Sequence, residues 1–137
     1  MNEHIIKSFL KRVQSELENN ILPFWLENSI DHEHGGFVGE LSDDLTVISD
    51  APKGLILNSR LLWAFSAMAG FSKNKRCFDI ADYAYQTLRN YFWDGRYGGG
   101  FWSLDKNGIP VNKLKKTYAQ SFLIYALVEP SSTTLDM

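Results

Sequence analysis

Arg60, Trp102, Tyr118 and Gln120 are among the side chains whose types can hold a small molecule rich in oxygen. Arg60 follows Asn58 and Ser59 at the start of an apolar segment, where a charge must find a partner because burying it unpaired is costly. Two partners suit its planar fork, a protein carboxylate or a pair of adjacent ligand oxygens. Spacing alone favours the internal salt bridge. Tyr118 takes the corresponding early place in a second apolar segment, and reads first as a core tyrosine with its hydroxyl tied to backbone. Gln120 beside it reads as a brace for its neighbours. Trp63, among Leu62, Ala64 and Phe65, reads as core, whereas Trp102 in a glycine-rich stretch can lay its indole on the C–H face of a sugar ring.

Other clusters offer less. Asp31-His32-Glu33-His34 has the spacing of neither a helical His pair nor a zinc cluster, and reads as a solvated turn. Asp43 and Asp44 are adjacent in a loop, and adjacent carboxylates seldom converge on one glycosidic bond. Cys77 is the only cysteine, which excludes an internal disulfide and a cysteine-rich zinc site. No metal site follows from the sequence.

The elements that must position these residues are helical. Apolar residues at Ile5, Phe9, Leu10, Val13, Leu17 and Ile21 recur in steps of three and four, predicting an amphipathic helix over 2–28 that kinks or starts a new turn at Pro23. Glycines around 31–41 predict a turn with a small strand pair. Asp50-Ala51-Pro52 signals a helix start, and the helix over 53–69 is apolar nearly all round, as a helix buried on most sides is. A third helix runs over 74–92 with a charged outer face. Residues 97–108 read as a hairpin with an Asn107-Gly108 turn, and a fourth helix covers 117–128 before Pro130. Residues 129–137 read as a divergent, disordered tail.

The pattern repeats. Amphipathic helix, Gly-Gly-Phe turn and buried helix occur over 2–70 and again over 74–128, the triplets starting at Gly35 and Gly99. Such units bury their apolar faces by stacking on neighbours, and two supply too little cover. The sequence therefore predicts a toroid of helical hairpins of which two are present.

Composition sets the class of partner. With 14 basic and 16 acidic residues well mixed and a net charge of −2, the chain carries no stripe for nucleic acid. The most apolar stretch, Gly54 to Phe71, contains Asn58, Ser59, Arg60 and Ser66, which argues against a membrane span. The start Met1-Asn2-Glu3-His4 does not read as a secretion signal, so a cytoplasmic protein is expected.

Five blocks in order carry a resemblance. They are Ile21-Leu22-Pro23-Phe24-Trp25, Glu33 to Gly39, Ala51 to Trp63, Tyr97 to Asp105, and Lys116 to Leu127. Together they resemble cellobiose 2-epimerases, of the N-acylglucosamine 2-epimerase family. The resemblance implies an all-α fold, a partial (α/α)6 barrel in which residues 1–128 form the first two of six hairpins. It implies a small-molecule sugar or disaccharide as partner, no cofactor, and inversion at carbon 2 of a reducing-end sugar through an enediolate. By resemblance Arg60 contacts the oxygens at carbon 1 or 2, Tyr118 hydrogen-bonds the sugar, and Gln120, Trp102 and Asn58 are further substrate-binding candidates. Arg60 and Tyr118 are expected to converge on one cavity with Trp102 at its rim. The family's catalytic His pair lies in later hairpins, and no residue here matches it. The pattern breaks after Leu127, which reads as a truncated or frameshifted frame or a cloning boundary. The chain alone is expected to be inactive and prone to self-association through bare helix faces.

Overall fold

The computed structural model describes residues 3–129; the tail expected over 129–137 lies outside them except for Glu129. The chain opens with α1 (Glu3–Glu16), a π-helical turn over Leu17–Ile21, and α2 (Leu22–Asn28). Pro23, lacking an N–H, falls in the first turn of α2. The interruption expected at the proline is taken up just before it, where the Leu22 N–H reaches back to the Leu17 carbonyl. After a long loop come β1 (Lys53–Gly54) and α3 (Leu55–Ser72). Then follow α4 (Lys75–Thr87), a second π turn over Leu88–Phe92, β2 (Ser103–Leu104), β3 (Pro110–Asn112) and α5 (Thr117–Val128).

Helix α3 begins at Leu55, two residues later than the sequence predicts. Lys53 and Gly54 are held instead in an antiparallel ladder with Leu104 and Ser103, and Asp50 is ion-paired to Lys106 at 2.8 Å rather than capping the helix. The three strands run in the order β1-β2-β3, so the sheet ties the first unit to the hairpin of the second. In the first unit the expected strand pair is reduced to isolated bridges, Ile30 to Phe37 and Leu41 to Val47.

The core lies where α3 meets α4 and α5, built from Leu55, Leu62, Phe65, Ala84, Leu88 and Leu123. Helix α4 starts as its sequence predicts, the Asn74 side chain accepting the Arg76 N–H at 2.9 Å. Helix α5 is buried only along Ala119, Leu123 and Ala126, and α1 has no buried residue. The sequence expects helices covered on most sides; among the described residues that cover exists for α3 and not for α5.

Gly39 is where the loop presses closest on α3's entry. A Cβ there would stand 2.7 Å from the Ala51 carbonyl oxygen and 2.8 Å from that of Pro52, and backbone cannot step aside cheaply. Gly39→Ala is expected to cost about 1–3 kcal/mol, read as a lowered midpoint of urea unfolding.

Candidate functional site

The two glycine turns are built alike. Asp31 donates its N–H to Gly36 O and accepts from Gly35 N–H; Asp94 does the same with Gly99 and Gly98. Gly35, Gly36, Gly98 and Gly99 all have φ between 71° and 78°, a region costly for any side chain. The repeat therefore runs Gly35-Gly36 onto Gly98-Gly99, one residue short of the register read from the Gly-Gly-Phe triplets. Gly100 stands where Phe37 stands, because a Cβ there would come within 2.7 Å of Leu55 Cδ2 and 3.1 Å of Leu123 Cδ2.

Each turn is clamped to the start of its inner helix by an ion pair that sequence reading missed. Asp31 Oδ1 accepts the N–H groups of Glu33 and His34, while Oδ2 takes the Lys53 ammonium at 2.7 Å. Lys53 also donates to the Gly35 carbonyl and is only 4% exposed. The Gly36 N–H donates to Tyr83 Oη at 2.6 Å, which fixes the turn against α4. In the second unit Asp94 Oδ1 accepts from Arg96 and Tyr97 N–H, and Oδ2 takes Lys115 at 2.6 Å. Lys53 and Lys115 each stand two residues before an inner helix.

These contacts favour the ionised form of both carboxylates. Burial pushes the Asp31 carboxyl up, but the Lys53 hydrogen bond and the His34 and Glu33 N–H groups outweigh it and hold its pKa below the ordinary value. For Asp94 the Lys115 hydrogen bond is the largest influence, and that carboxyl too is lowered.

The inner helices α3 and α5 run side by side in the same direction. Gly100 touches Leu55, at the start of α3, and Leu123 in α5, while the Trp63 and Tyr125 rings stack further along at 5.4 Å between centroids. Arg60 precedes Trp63 by three residues and Tyr118 precedes Tyr125 by seven, so at 3.6 residues per turn both project from the same exposed side as the stacked rings. Tyr118 corresponds in register to Ile56, not to Arg60, and stands one helical turn nearer its helix start. Arg60 is exposed and has no hydrogen bond or ion pair among the described residues, so the internal salt bridge is not formed. Tyr118 is exposed, with its ring edge-on to Phe122 at 5.1 Å.

The remaining candidates sit differently. Asn58 is 1% exposed, and its amide donates to the Gly54 carbonyl at 2.8 Å. Gln120, its counterpart in α5, makes a two-way bond with the Gly100 backbone, accepting and donating at 2.8 Å. The Asn58 nitrogen thus holds backbone at the start of α3 while its Oδ1 has no partner, and Gln120 holds the second glycine turn. Trp102 is partly buried; its carbonyl accepts the Leu55 N–H and its ring lies 3.7 Å below the Lys116 ammonium. One indole face is taken by that cation. His34 lies 3.6 Å from Asp31 Oδ1 at the first turn. Among the described residues no group of three His, Cys, Asp or Glu side chains is placed to hold a metal, and no helix is long and apolar enough to cross a membrane.

Known proteins share this fold. The fold superposes on the structure of cellobiose 2-epimerase from Bacillus thermoamylovorans B4167 with a TM-score of 0.88 at 41% identity, over 93% of this chain and 33% of that one. The sequence is 44% identical over 116 residues to the cellobiose 2-epimerase of Eubacterium cellulosolvens, 84% of this chain and 28% of that protein. It is 37% identical over 126 residues to that of Bacteroides fragilis, 92% of this chain and 32% of that protein. These likenesses place the chain with the N-terminal part of helical proteins of the cellobiose 2-epimerase kind. The family model for N-acylglucosamine 2-epimerase (GlcNAc 2-epimerase) matches residues 35–136, and the chain belongs to that family. It spans about a third of the length of the relatives it matches.

Proposed function

We propose that this chain is the N-terminal part of a sugar 2-epimerase and contributes the oxygen-binding side of its site. Residues 1–128 form two of the six hairpins of an (α/α)6 barrel, with 129–137 outside it. In the reaction a general base takes the proton from carbon 2 of the open-chain reducing-end sugar, and the electron pair moves into an enediolate. A second acid returns a proton to the opposite face, leaving the 2-epimer. The base and acid are the His pair of later hairpins, which this chain does not carry.

Arg60 holds the oxygens at carbons 1 and 2, where negative charge develops, and Tyr118 donates to the same sugar. The N-terminal ends of α3 and α5 add their positive dipole ends. Asn58 holds the start of α3 and Gln120 the second glycine turn beneath, and Trp102 stands at the rim with one face for a sugar ring. The observation that carries this reading is Arg60: a guanidinium on an apolar inner helix, exposed and without an ion pair among the described residues. The setting is cytoplasmic, which suits the single free thiol of Cys77.

The chain alone is inactive. Incubated with cellobiose, mannobiose or N-acetylglucosamine and followed by chromatography, it is expected to yield no 2-epimer above buffer. Turnover well above buffer would assign the chemistry to His4, His32 or His34 and overturn the division of roles. The bare apolar sides of α1 and α5 favour a second reading for the isolated chain, a non-catalytic module that binds sugar weakly or self-associates.

A further inference from the structure

The devices that shape the two units recur, and one contact does not. With Gly35-Gly36 laid on Gly98-Gly99 and Leu55 on Thr117, Asp31 coincides with Asp94 and the clamping lysine Lys53 with Lys115. Trp102 and Lys116, by contrast, fall on Gly39 and Gly54. The first unit forms its turn, its clamp and its inner helix with neither side chain present, so the repeat does not need the pair. Lys116 is also poorly placed for its own helix. It stands at the N-cap of α5, its side chain caps nothing, and a cation there faces the positive end of the helix dipole. No hydrogen bond or ion pair engages its ammonium among the described residues; what it meets is the Trp102 ring, 3.7 Å away at the centroid.

Trp102 touches the starts of both inner helices. Its carbonyl accepts the Leu55 N–H at 3.0 Å where α3 begins, and its ring lies against Lys116 where α5 begins. Arg60 belongs to the first of those helices and Tyr118 to the second. We infer that Lys116 is a positioning residue, whose ammonium holds the Trp102 indole at the junction of the two helix starts so that its other face meets the sugar. The inference rests on the sugar-binding role proposed above for Trp102. An ammonium over an aromatic face is attracted by the ring quadrupole, and indole is the best of the aromatic partners. The ring stands away from the carbon that loses its proton, so it holds substrate and transition state alike. Its orientation therefore acts on KM and not on kcat.

Steady-state kinetics tests it in residues 1–128 joined to the remaining two-thirds of a cellobiose 2-epimerase. Lys116→Met is expected to raise KM for cellobiose about threefold, the size of one exposed cation–ring contact, with kcat unchanged. Lys116→Arg keeps a cation over the indole and is expected to stay near the starting KM. Trp102→Leu should raise KM further. In that background Lys116→Met should add nothing, because the lysine has lost the ring through which it acts. The unfolding midpoint of Lys116→Met should stay where it was, loss of the ring contact being offset by removal of a cation from the positive helix end. An unchanged KM for Lys116→Met, in a chimera that turns over cellobiose, overturns the inference and leaves the proposed function standing. Additive effects in the double variant overturn it too, since Lys116 would then touch the sugar directly. A lowered midpoint with no rescue by Lys116→Arg would make the lysine structural and overturn it as well. A folded chimera without substitutions that forms no 2-epimer overturns the proposed function and the inference together.

Discussion

In a chimera joining residues 1–128 to the remaining two-thirds of a cellobiose 2-epimerase, Arg60→Ala is expected to lower kcat on cellobiose by roughly a hundredfold, the usual loss on removing a donor to developing negative charge. The physical basis is the contrast between Arg60's setting and its chemistry. Its side chain is exposed on an otherwise uncharged helix and makes no ion pair among the described residues, so removing it takes little from the folded state. An interaction formed chiefly in the transition state lowers kcat and kcat/KM together, whereas one formed equally with substrate raises KM alone. Arg60→Lys should recover part of the loss, since an ammonium keeps the charge but cannot span two oxygens. Tyr118→Phe should cost less than Arg60→Ala. Steady-state kinetics with an unchanged unfolding midpoint is the expected signature for Arg60→Ala, and a drop in stability with kcat intact would make the residue structural.

Lys53→Met should have the largest effect on stability, about 3 kcal/mol, as expected when a buried ion pair loses one partner and leaves the other charge stranded. Differential scanning calorimetry should show the midpoint falling by roughly 10 °C for a chain of this size. The matched change Lys115→Met removes the same device where the lysine is more exposed, and should cost less. The two variants separate burial from charge count. Acid should reveal the same contact. Because the folded-state pKa of Asp31 lies below its ordinary value, the unfolded chain takes up the proton first as pH falls. The contribution of the pair is complete above about pH 3.9, the ordinary aspartate pKa, and is lost as pH drops through the lower folded value. The stability gap between wild type and Lys53→Met should therefore narrow below that pH. A gap that stays constant into strong acid would place the effect in packing of the lysine stem.

The helices were legible because their apolar periodicity is dense, and α5 occupies Thr117–Val128 as its sequence predicts. What escaped reading depends on contacts far apart in the chain. Lys53 and Gly54 look helical beside Pro52, but a ladder to Ser103 and Leu104 takes them. Three consecutive glycines, 98 to 100, leave the repeat register open by one residue, and only their φ values and the bridges Ile30 to Phe37 and Trp93 to Gly100 resolve it. The Asp31–Lys53 and Asp94–Lys115 clamps were missed because neither pair is notable alone. Their signal was present in the sequence: with the two units laid over one another, an aspartate opens each turn and a lysine stands two residues before each inner helix. Arg60 and Tyr118 stood out through family resemblance, since spacing alone favours an internal salt bridge for an arginine on an apolar helix. The cation over Trp102 had no signal, because it joins residues 14 positions apart across β3.

The measurement that bears most directly on the central claim is the activity of the unmutated chimera. Folded, with the helix content of its parents, it is expected to convert cellobiose to its 2-epimer, a product separable by chromatography, while residues 1–137 alone and the donor two-thirds alone do not. A folded chimera that forms no 2-epimer, or a donor segment that works as well without residues 1–128, would contradict the assignment of the sugar-holding side of the site to this chain.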